Sequence, residues 1–166
     1  MPKENVRGMS RKPTIGWREW VALPELGLER IKAKVDTGAR TSCLHAFNLE
    51  PFDQGGERWV RFGMHPRQHS DAESIECTAP VLEERVVTDS GGHRENRMVI
   101  RSLVQLYGQS WDIELTLTGR DDMRFRMLLG RTAIRRRFVV DPGRSFLAGD
   151  TGNDRENDED EQAEEI

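Results

Sequence analysis

Ile31-Lys32-Ala33-Lys34-Val35-Asp36-Thr37-Gly38-Ala39-Arg40-Thr41-Ser42 decides what kind of chain this is. From Ile31 to Val35 apolar and charged side chains alternate, the period of a strand with one wet face. The run then ends in an acid, a small hydroxyl residue and a glycine. A carboxylate at a strand end can be held by the backbone and hydroxyl donors of a tight turn, and glycine lets the backbone make that turn. Asp and Gly are also ordinary turn residues, so an isolated Asp-Thr-Gly is weak evidence of chemistry.

A second stretch strengthens it: Arg124-Phe125-Arg126-Met127-Leu128-Leu129-Gly130-Arg131-Thr132, an apolar strand running into glycine. Residues 131–137, just beyond, are the one helical segment expected, and it is short. Between the two stretches the chain reads as antiparallel β, with runs rich in Val, Ile, Leu and Trp between Gly, Pro, Asp and Asn clusters. Candidate strands are 15–23, 30–35, 58–62, 81–87, 97–104, 111–117 and 124–129. In Trp111-Asp112-Ile113-Glu114-Leu115-Thr116-Leu117 every second side chain is apolar, and the turn Tyr107-Gly108-Gln109-Ser110 predicts a hairpin with the strand before it. No strands alternate with long amphipathic helices and no glycine-rich phosphate loop occurs, which excludes the common nucleotide-binding scaffolds. The expected fold is all-β, a compact barrel or sandwich.

At 166 residues the chain is long enough for one domain with a real core. No internal repeat suggests a duplicated, two-lobed enzyme. The formal net charge of −4 is uneven, because the nine acidic residues between Asp150 and Ile166 face only Arg155. That tail carries about −8 and leaves the remainder at about +4. Residues 149–166 are expected to be a disordered acidic tail, either solubilising or a functional arm, since they lack the apolar periodicity needed to offset ordering entropy. Residues 1–13 are expected to be a flexible N-terminus, leaving 14–148 as the domain. No apolar run suggests a membrane span or a secretory signal, so the expected location is cytoplasmic. Cys43 and Cys77 are read as free thiols of a reducing compartment.

The two decisive stretches, together with Asp89-Ser90-Gly91-Gly92-His93-Arg94, make the chain resemble the retropepsins. More specifically it is similar to the bacterial retropepsin-like family often labelled "ATP-dependent zinc protease", over roughly residues 14–147. The resemblance implies a closed β barrel of the acid protease fold with one short C-terminal helix. It implies an aspartic peptidase in which Asp36 is the catalytic acid, Thr37 braces two loops across a dimer axis and Gly38 permits the turn. Ala39, Arg40 and Arg131 fall on the substrate side of that loop, and Gly130 packs closely against the active-site strand. Gly91, Gly92, His93 and Arg94 become the tip of a flap, although as a plain hairpin turn the segment needs no function. One chain supplies one aspartate, so the resemblance implies a homodimer with a shared Asp36 dyad. Relatives are associated with ATP-grasp ligases that add glutamate to proteins, which implies an acidic, glutamylated peptide or protein substrate. Residues 47–80 are an insertion relative to viral members, and Thr132 stands where those carry Asp or Asn.

The metal and nucleotide of the label find no support in the residues. His65-Pro66-Arg67-Gln68-His69 has the histidine spacing of a zinc hydrolase, but Pro66 argues against a helix and Gln68 cannot act as a general base. No metal and no cofactor are expected. The arginines Arg40, Arg94, Arg97 and Arg131 either gather positive charge around the cleft or pair with Glu95, Asp89 and Asp121. Arg135-Arg136-Arg137 lacks interleaved aromatic residues, so no nucleic-acid partner is expected, and no membrane partner either. The alternative to a peptidase is a non-catalytic dimeric peptide-binding module of the same fold.

Overall fold

The computed structural model describes residues 11–120 and 123–149. The expected flexible N-terminus up to residue 10, the acidic tail from residue 150 and the candidate ion-pair partner Asp121 lie outside the described residues. Those described form eleven strands, a 3-10 turn at Pro24–Leu26 and one helix. The strands are β1 (Thr14–Ile15), β2 (Arg18–Leu23), β3 (Leu28–Asp36), β4 (Ser42–His45), β5 (Phe47–Gln54), β6 (Glu57–Met64) and β7 (Ile75–Thr88). They continue as β8 (Arg94–Leu106), β9 (Gln109–Thr118) and β10 (Met127–Gly130), after which come helix α1 (Arg131–Ile134) and β11 (Val139–Val140).

The fold is all-β, as the alternation in the sequence predicts. The main sheet runs β2-β3-β10-β4-β9-β8-β7-β6-β5, and β2 also meets β8 at Ala22 and Gln105, closing six strands into a ring. Inside the ring lie Leu23, Ile31, Leu44, Ile100, Leu115, Leu117, Met127 and Leu129, each almost fully buried. Burying such aliphatic side chains contributes roughly 1.5–3 kcal/mol each against leaving them in water. The central pairings mix directions: β3 and β10 run parallel, as do β4 and β9. The two parallel pairs run in opposite directions, since β10 is antiparallel to β4, so β3 and β10 end where β4 begins and Asp36, Gly130 and Ser42 meet at that end.

Several expected elements differ in extent. The strand expected at 15–23 is broken at Gly16, because a Cβ there would lie 2.2 Å from the Arg144 carbonyl oxygen. The C-terminal strap approaches at that point: Trp17 N donates to Arg144 O, and Phe146 N to Arg18 O. The buried Glu19 carboxylate accepts the amides of Gly16, Leu147 and Ala148 at 2.7–2.9 Å and fixes the strap along β2. Most of the insertion at 47–80 is sheet, apart from a loop over residues 65–74. β5 and β6 form a hairpin through Gly55 and Gly56, both at positive φ, and extend the sheet beyond β7. The helix expected at 131–137 stops after four residues, where Arg136 adopts φ +70°. Arg137 then folds back over the Trp111 ring at 4.6 Å. No helix of the described residues is long and apolar enough to cross a membrane.

Candidate active site

Strand β3 delivers Asp36 into a turn that Asp36 itself organises. Its Oδ1 accepts the amides of Gly38 at 3.1 Å and Ala39 at 3.2 Å, and its carbonyl also accepts the Ala39 amide. These bonds hold the carboxylate at the strand end, and since both fall on Oδ1, Oδ2 keeps its acceptor capacity. Thr37 and Gly38 are exposed beside it. A side chain on Gly38 would put a Cβ 3.3 Å from Oδ1 and crowd the acid.

The junction of β10 and α1 clamps the far side of the turn. Three consecutive carbonyls are taken: Gly38 O by the Arg131 guanidinium at 3.1 Å, Ala39 O by Arg131 N at 2.8 Å, and Arg40 O by both Thr132 N and Thr132 Oγ1. Gly130 stands opposite Asp36 in the parallel pair, and its amide donates to Ser42 Oγ at 2.9 Å. A Cβ on Gly130 would lie 2.6 Å from the Thr41 carbonyl carbon, so only glycine lets the two strands close around the loop. Asp36, Thr37, Gly38, Ala39, Arg40 and Arg131 therefore form one constellation, with Thr132 added to it. Arg40 is exposed, whereas the Arg131 guanidinium is engaged in holding the loop.

Gly91, Gly92, His93 and Arg94 form a second constellation, the tip of the long β7–β8 hairpin. Asp89 Oδ1 accepts the amides of Gly91 and His93, both at 2.9 Å, and Gly92 takes φ +84°. Asp89 Oδ2 is bonded by Arg120, just past the end of β9, and the His93 ring lies 3.3 Å away. The His93 amide above all, with the Arg120 guanidinium, holds the Asp89 carboxyl below the usual carboxylate range. These contacts tie the tip to Arg120 rather than to the Asp36 turn. Arg94 is exposed, but Arg97 is not: it is buried and donates to Glu95 at 2.8 Å, one of the pairings the sequence left open. Asp89 carries a turn signal in the sequence, whereas the burial of Arg97 depends on strand register and has none.

His65 and His69 do not converge. His65 stacks on Phe47 and bonds the Glu73 carbonyl at 3.0 Å, while His69 is exposed. Among the described residues no three His, Cys, Asp or Glu side chains are grouped to hold a metal. Cys43 and Cys77 are free and buried, and burial pushes the Cys77 thiol up to about 11. Two concavities lie away from Asp36. One of about 380 Å³ and another of about 230 Å³ share Trp20, Glu29 and Arg30 near the β2–β8 closure.

Known proteins add to this geometry. The chain is 49% identical over 139 residues to a protein of Shewanella pealeana named probable alpha-L-glutamate ligase, covering 84% of this chain and 30% of that one. It is 50% identical over 147 residues to a protein of the same name from Parasynechococcus marenigrum, covering 89% of this chain and 32% of the relative. The chain thus spans less than a third of the length of these curated relatives. A crystal structure from Legionella pneumophila, of a protein with unknown function, superposes with a TM-score of 0.68 at 25% identity, covering 83% of this chain and 99% of that one. The profile of one family, described as retropepsin-like aspartic endopeptidase RimB, matches residues 14–151. That match takes in the turn, the hairpin and the strap alike, and the chain belongs to the RimB-like family.

Proposed function

We propose that the chain is an aspartic peptidase whose active unit is a homodimer, one Asp36 from each copy facing the other across a two-fold axis. The observation that carries this reading is the Asp36 turn, a carboxylate pinned at its own strand end with three neighbouring carbonyls tied down behind it. Preorganisation of that kind lets an acid act without moving. Thr37, exposed next to Asp36, is the hydroxyl that braces the paired turns, and Gly38 keeps the space beside the acid open.

Two carboxylates at close range cannot both ionise, so the pair retains one proton. The ionised member takes a proton from water as its oxygen attacks the peptide carbonyl carbon, while the protonated member donates to the carbonyl oxygen. The resulting diol collapses when one carboxyl protonates the leaving nitrogen and the other recovers a hydroxyl proton. The C–N bond breaks and the dyad again holds one proton. The β7–β8 hairpin, with Gly91, Gly92, His93 and Arg94 at its tip, covers the bound peptide as a flap.

Acidic peptides, including glutamylated protein tails, are the substrate class we favour. Exposed Arg40 stands at the turn and exposed Arg94 at the hairpin tip, and arginine suits carboxylates. The relatives are named probable alpha-L-glutamate ligase, so their name too concerns glutamate. The test uses peptides ending in several glutamates beside glutamine controls. Wild-type protein should cut them, and Asp36→Asn, which keeps size but cannot take up a proton, should lower turnover by at least about 10²-fold with fold and assembly intact. A folded Asp36→Asn protein with undiminished cleavage rejects the assignment. Wild-type protein that binds these peptides and never cuts them is a binding module instead.

A further inference from the structure

Strand register places Asp36 on the sheet face turned away from the barrel core. Asp36 is opposite Gly130, and on the same face Lys34 is opposite Leu128, Leu128 opposite Cys43, Cys43 opposite Thr116 and Thr116 opposite Val99. Directly opposed residues share a face and alternate residues of one strand do too, so Arg97 belongs to this face with Val99. Cys43, Thr116, Val99 and Arg97 are all buried, yet Cys43 and Val99 stand outside the main core cluster. The strip runs from half-buried Asp36 and Leu128, beside exposed Lys34, over buried Cys43, Thr116 and Val99 to a buried guanidinium on β8.

That guanidinium is bonded unequally. Its Nε donates to Glu95 at 2.8 Å, and Glu95 is further fixed by the Thr118 hydroxyl at 2.9 and 3.1 Å. Its Nη1 instead reaches back across β9 to Cys43 Sγ and Thr116 Oγ1, both at 3.5 Å. For the hydroxyl that is the outer limit of a hydrogen bond, and a thiol is a weak acceptor. Burial raises the Cys43 pKa, so the sulfur stays neutral. The outer end of the fork is thus anchored on an anion, while the inner end meets two neutral, poorly placed acceptors. Because the cation is already out of water, an incoming carboxylate gains a charge-assisted bond without desolvating an arginine afresh.

Distance fits as well. Cys43 lies two strands from β3 and two residues back from the level of Asp36, which puts its backbone about 12 Å from that of Asp36, given strand spacings of about 4.8 Å and a rise of about 3.3 Å per residue, with Nη1 3.5 Å from its sulfur. In an extended peptide the side chain two residues from the cleaved bond starts about 6.6 Å along, and a glutamate covers the rest.

We propose that Arg97 is a specificity-determining residue that binds the carboxylate of a substrate glutamate two residues from the bond cut at Asp36. The carboxylate takes the place of Cys43 Sγ and Thr116 Oγ1 at Nη1, while Glu95 continues to hold Nε. This rests on the peptidase reading and deepens it by giving the acidic preference a position.

The test is a set of peptides with a single glutamate moved along a glutamine background, scored by the ratio of kcat/KM for glutamate over glutamine at each position. The same peptides are measured for binding to Asp36→Asn protein. Wild type should prefer glutamate at least about tenfold at one position next but one to the cut. Arg97→Gln should bring that ratio to within about twofold of unity, and Arg97→Lys, which keeps the charge but loses the fork, should retain part of it. Should Arg97→Gln fail to fold, the Arg97→Lys ratio decides. A ratio unchanged in the folded variants, or no glutamate preference in wild type at any such position, overturns the proposal. If wild type cuts nothing, the peptidase reading fails, and the glutamate-over-glutamine binding ratio still decides whether Arg97 reads the carboxylate.

Discussion

At Gly130 a single missing atom keeps the site together. The Cβ of any other residue would press on the backbone of Thr41 at 2.6 Å and of Ser42 at 2.8 Å, and backbone cannot rotate away as a side chain tip can. Gly130→Ala should therefore lower stability by about 1–3 kcal/mol, the scale of overpacking. It should also lower kcat/KM beyond what the lost folded fraction explains, because the atoms displaced belong to the Asp36 loop. Urea denaturation together with activity at full folding checks this, and wild-type stability in Gly130→Ala would mean the junction is looser than its geometry shows. Glu19 shows the same dependence on backbone, since its carboxylate serves three amides that come from both ends of the described chain. The local motif Asp36-Thr37-Gly38 was legible in the sequence because the turn is made by adjacent residues. The Arg97–Glu95 pair was one the sequence left open, but the burial of Arg97 beside Cys43 and Thr116 and the hold of Glu19 on the C-terminal strap were not legible, because those groups are distant in sequence and meet only in the folded chain.

Among elements, the β7–β8 hairpin is held at its tip by one carboxylate. Asp89 has a lowered folded pKa, so the stability it contributes is present above the unfolded value near 3.8 and is lost as pH falls through the folded one. The tip should keep constant protection of the Gly91 and His93 amides between about pH 7 and 5, then loosen below about pH 4. Hydrogen exchange corrected for intrinsic rates reads this, and equal protection at pH 3 and pH 6 would show that Asp89 is not the anchor. The first half of β9, with one wet face, was plain from alternation; β3 was found the same way, although Lys32 on its charged face is buried over the Trp20 ring rather than wet. Strand β4 was not, because Ser42, Cys43, Leu44 and His45 are buried on both faces and show no period. Strand β5 hid behind Pro51 and a polar composition, both of which an edge strand tolerates. The alternation of β9 fails at Thr116 and Thr118, which are buried on the non-core face. That failure marks the covered strip leading to Arg97.

For the whole molecule the question is how many chains make one active site. Among the described residues each chain carries one Asp-Thr-Gly turn, at Asp36, and carboxylate-catalysed peptide hydrolysis needs an acid and a base together. Two-fold symmetry would supply both, because an axis beside the exposed Thr37 and Gly38 would bring identical turns face to face. Mixing tests this more sharply than measuring mass, since a dimer in solution need not be the catalytic unit. Wild-type and Asp36→Asn chains are equilibrated together at fixed total concentration, with subunit exchange confirmed by a label on one of them. A shared dyad is intact only when both chains are wild type, so activity should follow the square of the wild-type fraction, and an equal mixture should retain about a quarter of full activity. A site complete in one chain gives a straight line and about a half. Dilution provides an independent reading, because the specific activity of a shared site falls as the dimer dissociates while that of a one-chain site does not. A linear mixing curve together with activity that survives dilution to monomer would sink the shared dyad, and would require a second proton donor within reach of Asp36 in the same chain.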